Sequence, residues 1–144
     1  MFILDTDHLI IAQRDSQPEA DRLRRQMKQH RESDFHLTII TIHEQLLGAQ
    51  KNISQSRALD SVVRGYRLIE SAMIYYNDFQ VLPFDEPASL QFQRLRKQGI
   101  RIGTMDLRIA SIALSHNYTV LTRNTIDFGR VPDLRIEDWT TETF

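Results

Sequence analysis

The sequence predicts an α/β fold, with a central parallel sheet of four to five short strands that carries helices on both faces. Short apolar runs alternate with longer segments of helical periodicity. This order is typical of parallel sheets, because a parallel strand pair needs a crossover connection that is usually a helix. The length of 144 residues, 41% of them hydrophobic, suits one domain with a sizeable core. Since the sequence shows no repeat, low-complexity stretch or linker, we expect a single domain over residues 1–144.

In the first half of the chain, cap residues and β-branched runs mark the ends of the elements. In order we expect a strand at residues 2–4, a helix capped by Asp7 and ending near residue 14, a helix opened by Pro18 and ending near residue 30, a strand at residues 36–40, and a helix from Thr41 to about residue 51. Thr41 and Glu44 have the Thr-x-x-Glu spacing of a capping box, which predicts where that last helix begins.

In the second half, a long amphipathic helix is expected from about residue 55 to residue 76, with its apolar stripe in the core. The stripe consists of Leu59, Val62, Val63, Tyr66, Ile69 and Met73. The elements predicted after it are a strand at residues 79–82, a helix started by Asp85 and Pro87 and ended by Gly99, a mostly apolar helix capped by Thr104, a strand at residues 119–121, and an edge strand at residues 134–137.

Composition excludes several classes of function. With 18 basic and 19 acidic residues the formal charge is -1, so any contact with nucleic acid must be local. The absence of cysteine excludes disulfides, thiolate metal sites and a cysteine nucleophile. No apolar run approaches the roughly 18 residues of a membrane span, which predicts a soluble, cytoplasmic protein without a membrane partner.

Four acids lie at or just beyond the ends of predicted strands. Asp5 follows the first strand, Glu44 and Asp106 lie in the first turns of helices, and Asp127 follows the fourth strand. In an open parallel sheet such positions meet near the crevice where the strand order reverses. Converging carboxylates repel one another unless a cation lies among them, and oxygen ligands suit Mg²⁺ or Mn²⁺. The pattern therefore predicts a divalent-metal site.

Each acid also has a local explanation. Asp5 and Asp7 can turn the chain and cap a helix, Glu44 can serve only the capping box, and Asp106 can interact with a helix macrodipole. We expect Asp7 to act mainly as a cap. None of the five histidines has ligand spacing to another, and we assign none of them a catalytic role.

A basic cluster precedes the Asp106 helix and consists of Arg94, Arg96, Lys97 and Arg101. It could guide a phosphate backbone toward the metal. The simpler explanation is a solvated helix end whose charges favour the macrodipole.

Five segments together resemble a PIN-domain ribonuclease of the VapC toxin type. They are Ile-Leu-Asp-Thr-Asp at residues 3–7, Ile-Ile-Thr-Ile-His-Glu-Gln-Leu-Leu-Gly-Ala at 39–49, Ile-Gly-Thr-Met-Asp-Leu-Arg-Ile-Ala at 102–110, Leu-Thr-Arg-Asn-Thr-Ile-Asp-Phe at 121–128, and Val-Pro-Asp-Leu-Arg-Ile-Glu-Asp-Trp at 131–139. The resemblance covers nearly the whole chain, so it implies one PIN-like nuclease domain.

By this resemblance, Asp5, Glu44 and Asp106 match the three core metal-binding acids of the family. Many PIN domains place a further Asp where this chain has Asn124, and the next acid is Asp127. We therefore expect Asp127 to supply the fourth charge, with Asn124 or Thr122 orienting water or phosphate. Asp7 and Thr104 are candidates for supporting roles beside the ligands.

The resemblance also implies an activity and partners. It implies hydrolysis of RNA phosphodiester bonds with Mg²⁺ or Mn²⁺, a homodimer, and a small VapB-like antitoxin that inserts an Arg or another group into the acidic site. The helix at residues 55–76, with its tyrosines, is a candidate interface.

Two alternatives come from other classes of protein. Asp5 and Asp7 also resemble the Asp-x-Asp of haloacid-dehalogenase-type phosphatases, in which the first Asp is a nucleophile, although the later Lys and the Gly-Asp-x-x-x-Asp loop of that family are not in place. A PIN domain that binds RNA or a partner without cleavage is the other, and Asn124 favours it.

Overall fold

A computed structural model describes residues 1–55 and 58–142, and in these ranges the strands pair in parallel in one sheet. The strands are β1 (Phe2–Leu4), β2 (Phe35–Thr38), β3 (Gln80–Leu82), β4 (Thr119–Leu121) and β5 (Ile136–Glu137). The helices are α1 (Thr6–Arg14), α2 (Glu19–Met27), α3 (Ile39–Gln55), α4 (Leu59–Tyr76), α5 (Glu86–Lys97), α6 (Thr104–His116) and α7 (Thr125–Phe128). The predicted fold class is confirmed.

The strand order is β3-β2-β1-β4-β5, which makes β1 the central strand and β5 an edge strand, as predicted. Phe2 pairs with Phe35 of β2 on one side, and Ile3 pairs with Val120 of β4 on the other. The chain builds outward from β1 to β3, then crosses back to β4 and β5. The order therefore reverses beside β1, and a parallel sheet forms its functional crevice at the carboxyl ends of the strands at such a point.

Alternating side chains of the central strands enter two separate cores. Ile3 and Val120 point into the layer that contains α5 and α6, whereas Leu4 and Leu121 point into the layer that contains α1 and α2. All four side chains are fully buried. Since a strand that is covered on both faces needs apolar residues at successive positions, the short apolar runs predicted these central strands correctly.

The apolar stripe of α4 departs from the prediction. Leu59 is 82% exposed and Met73 is 62% exposed, so these side chains lie outside the core. The α4 residues that are buried are small, Gly65 and Ala72, and they let α4 lie close to α3. Apolar periodicity identifies the helix but cannot tell a core face from a surface left for a partner. The predicted start of this helix includes residues 56–57, which lie outside the described ranges.

Two predicted cap assignments in the first half are wrong. The N-cap of α1 is Asp5, whose carboxylate accepts a hydrogen bond from the Thr6 N–H, rather than Asp7. Helix α3 begins at Ile39, directly after β2, and the Thr41 N–H donates to the Thr38 hydroxyl. The capping box at Thr41 and Glu44 therefore does not form. β-Branched residues at positions 38–41 favoured a longer strand in the prediction.

The second half contains one further wrong cap. Gly103 is the N-cap of α6 and Thr104 is its first residue, so Thr104 does not cap the helix with its side chain. In contrast, Asp85 caps α5 by accepting from the Ala88 N–H, and Gly99 follows α5 at a positive φ of 78°, as predicted. The short helix α7 was not predicted. In the ranges that the structure describes, no helix has the length and apolar character that crossing a membrane requires.

The contact between α3 and α4 provides a stability test. A Cβ added at Gly65 would clash with Cγ1 of Ile53 on α3 and lie 3.2 Å from the Ala49 carbonyl oxygen. We expect Gly65→Ala to lower the free energy of unfolding by roughly 1–3 kcal/mol, because the two helices must move apart. Equilibrium unfolding in urea measures the change.

Gly48 supplies the matched control on α3. A Cβ there meets nothing within 4 Å, so Gly48→Ala should raise the free energy of unfolding by up to about 1 kcal/mol through helix propensity. Equal destabilisation by the two substitutions would contradict the described packing of α3 on α4.

Candidate metal centre

Three carboxylates converge at the carboxyl end of the central strand. Asp5, Glu44 and Asp106 each offer an oxygen, and these atoms lie within 4.8 Å of one another. Asp5 is 5% exposed at the end of β1, Glu44 lies in the second turn of α3, and Asp106 lies in the first turn of α6. The sequence predicts that four acids meet here; three of them do, and Asp127 is not among these three close oxygens.

Both oxygens of Asp5 have a donor. The Thr6 N–H donates to Oδ1 at 2.8 Å, and the Thr122 hydroxyl donates to Oδ2 at 2.8 Å. Burial, with the neighbouring charge of Asp7, raises the pKa of Asp5 from 3.8 to about 7 against the opposing effect of the Thr122 hydrogen bond. The site therefore orients this carboxylate while disfavouring its charge.

The other two carboxyl groups are shifted in the same direction. Burial raises the pKa of Glu44 and Asp106, and the charge of Asp106 adds to the effect on Glu44. The Thr6 hydroxyl donates to Oε1 of Glu44 at 3.0 Å. A divalent cation would offset this mutual repulsion, and three carboxylates without sulfur or imidazole are the donor set that Mg²⁺ and Mn²⁺ favour. The residues present therefore fit such an ion.

Asn124 lies between two acids. Its amide Nδ2 donates to Oδ2 of Asp106 at 3.2 Å and to Oδ2 of Asp127 at 3.1 Å, and its side-chain oxygen accepts from the Asp127 N–H at the start of α7. The charge of Asp127 is the largest cause, after burial, of the raised pKa of Asp106. Asp127 thus lies next to Asp106, outside the group of three close oxygens.

Asp7 holds neighbouring segments of the site in place through hydrogen bonds. Its Oδ2 accepts from the Arg123 N–H at 2.9 Å, and its Oδ1 lies 2.7 Å from Nδ1 of His8. Burial opposes the charge of Asp7, but hydrogen bonds from His8 and from the Arg123 N–H hold its pKa below the ordinary value. Asp7 therefore stays ionised and anchors the segment after β4 that carries Thr122.

The structural role of His8 was not predicted from the sequence. It is fully buried, and its Nε2 accepts from the Trp139 N–H at 3.2 Å, so Nδ1 carries the hydrogen that is donated to Asp7. His8 thereby connects the segment after β5 to the acids at the end of β1. A polar residue beside the apolar run at residues 9–11 is the one sequence signal that could have indicated this role.

The predicted basic cluster is divided by the structure. Arg96 and Lys97 line a groove with Thr104 at the start of α6. Arg94 instead donates twice to Gln91 Oε1, at 3.0 and 2.7 Å, and Arg101 contributes its carbonyl oxygen to a bond from Arg130. Of the cluster, only Arg96 and Lys97 therefore line the groove at the start of α6.

The fold and the site define an α/β domain with a carboxylate cluster at the topological switch of its sheet. The family model for the PIN domain matches residues 2–134. The chain is 31% identical over 142 residues to the tRNA(fMet)-specific endonuclease VapC of Salmonella typhimurium, covering 96% of this chain and 97% of that protein. It is 32% identical over 145 residues to ribonuclease VapC1 of Haemophilus influenzae, covering 97% and 98%.

Solved structures agree with these matches. The DNA-bound VapBC structure from Salmonella typhimurium contains a chain with a TM-score of 0.75 and 25% identity, covering 96% of this chain and 97% of that chain. VapBC-1 from nontypeable Haemophilus influenzae gives 0.75 and 28%, covering 97% and 98%. The chain belongs to the PIN-domain family and, within it, to the VapC ribonucleases. This family is distinct from the haloacid-dehalogenase-type phosphatases, whose second Asp acts as an acid. Hydrogen bonds from His8 and the Arg123 N–H hold the pKa of Asp7 below its ordinary value, so Asp7 lacks the proton that such an acid donates.

The raised pKa of Asp5 predicts how the free energy of unfolding depends on pH when a chelator keeps the site free of metal. Between pH 3.8 and about 7 the folded protein keeps a proton on Asp5 that the unfolded chain has lost, so stability falls as pH rises through this window. Asp5→Asn removes this dependence. We expect the wild type to lose a few kcal/mol more than the variant between pH 5 and pH 8, measured by urea unfolding in EDTA.

Asp5→Asn serves as the control for the wild type, since Asn keeps the shape of the side chain and still accepts a hydrogen bond from the Thr6 N–H. Parallel pH profiles for the two proteins would show that the Asp5 carboxyl is not perturbed.

Proposed function

We propose that this chain is an endoribonuclease that depends on Mg²⁺ or Mn²⁺, with Asp5, Glu44 and Asp106 as the metal-binding and catalytic acids and Asp127 as the fourth charge. The observation that carries the proposal is the approach of three carboxylate oxygens to within 4.8 Å, at the sheet's switch point, in a chain of the VapC group. Relatives named as ribonucleases support RNA as the substrate.

The residues of the chain position the reaction. Thr6 donates to both Asp5 and Glu44, and Thr122 donates to Asp5, so the ligand oxygens are oriented before any substrate arrives. Asp5, Glu44 and Asp106 would hold a divalent ion, which would lower the pKa of a bound water and stabilise negative charge on the phosphate. Hydrolysis therefore needs no nucleophilic side chain and no covalent intermediate.

Cleavage of RNA tests the proposal directly. The purified chain should cut RNA with Mg²⁺ or Mn²⁺ and should stop when EDTA is added. Asp106→Asn should lower the rate by about 100-fold or more, because it removes a ligand charge from the site. The substrate should be total RNA that includes initiator tRNA, since a relative is named as specific for tRNA(fMet), and sequencing of the fragments locates the cut.

Asp60→Asn is the control, because Asp60 is an exposed acid on α4 outside the site. Its rate should equal that of the wild type. A wild-type protein that binds Mn²⁺ and RNA but cuts none of the RNA would replace this proposal with the non-cleaving alternative.

The fourth charge has its own test. The Asn124 amide donates hydrogen bonds to both Asp127 and Asp106. We therefore expect Asp127→Asn to weaken Mn²⁺ binding about 10-fold or more, because it reduces the negative charge beside the ligands. Thermal unfolding at increasing Mn²⁺ measures the affinity. Asp133→Asn, at an exposed acid after α7, should leave it unchanged. Equal affinities for all three proteins would remove Asp127 from the site.

We also propose that the chain acts in the cytoplasm as a homodimer with a small VapB-like antitoxin. Solved relatives are described as VapBC complexes, and this chain leaves an apolar surface uncovered. We call it the α4 outer face, and it consists of Leu59, Val63, Tyr66, Met73 and Ile74. At about 100° per residue these positions share one side of the helix. Exposed patches of this kind mark interaction sites.

A groove between α1, α3 and α4 supports the antitoxin. Its lining runs from Tyr75 and Tyr76 on α4 to Thr6 and Glu44 at the acidic site. A peptide segment in this groove reaches the carboxylates, where an Arg side chain of the antitoxin could pair with them.

The dimer is tested by sedimentation of the isolated chain. We expect twice the chain mass for the wild type and a monomer for Met73→Asp combined with Ile74→Asp, since both side chains lie on the α4 outer face. Ile126→Asp changes an apolar residue of α7 that is 76% exposed and should leave the dimer intact. A monomeric wild type would contradict this part of the proposal.

A further inference from the structure

An open basic groove lies on the surface between helices α5 and α6. It is lined by Phe92, Gln93, Arg96, Lys97, Thr104 and Arg108. Among the described residues, none of its three cations forms an ion pair with an acid. This separates the groove from the paired surface arginines, such as Arg24 with Asp15 and Arg22 with Glu142. The groove therefore concentrates positive charge that the chain itself does not neutralise.

Phe92 orders two of these cations. The guanidinium carbon of Arg96 lies 5.6 Å from the centre of the Phe92 ring, and that of Arg108 lies 5.9 Å from it. Arg108 also donates to the sulfur of Met105 at 3.8 Å. Contacts with an aromatic face restrict a guanidinium group while leaving its N–H donors available. Two like charges held on one ring repel each other, and a bound anion offsets that repulsion.

The groove adjoins the acidic site across the first turn of α6. Thr104 lines the groove, and Asp106, two residues later, belongs to the carboxylate group. An α-helix is about 10–12 Å wide with its side chains, so a polynucleotide that crosses this end of α6 can touch both. A phosphate chain supplies anions at regular intervals, and a guanidinium fork matches a phosphate with two parallel hydrogen bonds.

We propose that the groove between α5 and α6 binds a backbone phosphate of the RNA next to the segment that is cut. Arg96 and Arg108 are the phosphate donors, Lys97 adds charge, and Phe92 holds the two guanidinium groups in place. The inference rests on the proposed ribonuclease function and names the surface that holds its substrate. It also divides the basic cluster, because Arg94 and Arg101 lie outside this lining.

Binding without cleavage tests the groove. A short fluorescein-labelled single-stranded RNA of mixed sequence is titrated in EDTA, where no metal-dependent cut can occur, at several salt concentrations. Arg96→Gln combined with Arg108→Gln should raise Kd about 10-fold and make the plot of log K against log salt shallower by about 1, because a phosphate contact is lost. Arg94→Gln combined with Arg101→Gln removes the same charge outside the groove and should change Kd less than about 2-fold.

Two further variants keep the result interpretable. Arg96 is exposed, so Arg96→Gln alone should fold as the wild type does and still weaken binding. Phe92→Leu keeps every charge but removes the ring, and it should raise Kd while leaving the salt dependence unchanged.

Equal losses for the two double variants would show general attraction by charge and overturn the assignment. Wild-type affinity in the Arg96 and Arg108 variants would overturn it too. Failure of the ribonuclease proposal is seen separately, as absence of cleavage when Mg²⁺ or Mn²⁺ is added to a protein that still binds the RNA.

Discussion

The repulsion among carboxylates at the carboxyl end of β1 is the constraint on which the rest of the site depends. Asp5, Glu44 and Asp106 come from a strand and two helices, and their pKa values are all raised. Hydrogen-bond donors orient these groups: Thr6 donates to both Asp5 and Glu44, Thr122 donates to Asp5, and Asn124 donates to Asp106. Such donors fix where the oxygens lie without cancelling their charge, which leaves a site that is oriented and still favours a cation.

A chain of hydrogen bonds connects Asp5 to the edge of the sheet. Thr122 follows β4 directly, and Asp7 fixes that segment through the Arg123 N–H. His8 in turn joins Asp7 to the Trp139 N–H after β5. The edge strand has only two residues, so its position depends on these side chains as well as on its pairing with β4. A short C-terminal strand thus contributes to the geometry at the centre of the sheet.

Sequence alone predicted the fold class and the meeting of Asp5, Glu44 and Asp106, because strand ends and apolar runs are encoded locally. The errors have physical causes. Asp5 and Asp7 are both good cap residues, and only the Arg123 N–H and His8, distant or buried in the fold, assign Asp7 to another task. The exposure of Met73 could not be predicted, since an exposed apolar stripe has the same periodicity as one that packs on a core.

Charge is distributed about α6 in a way that the overall composition conceals. The formal charge of -1 indicates no attraction for polyanions, yet Asp106 and Arg108 lie two positions apart on one helix, and about 200° of rotation separates them. Each lies among residues of the same charge: Asp106 lies near Asp5 and Glu44, and Arg108 shares the Phe92 ring with Arg96. A polyanion would be repelled by the acids alone. The cationic groove, lined by Arg96, Lys97 and Arg108, lies about one helix width from the acids and offers positive charge that offsets this repulsion.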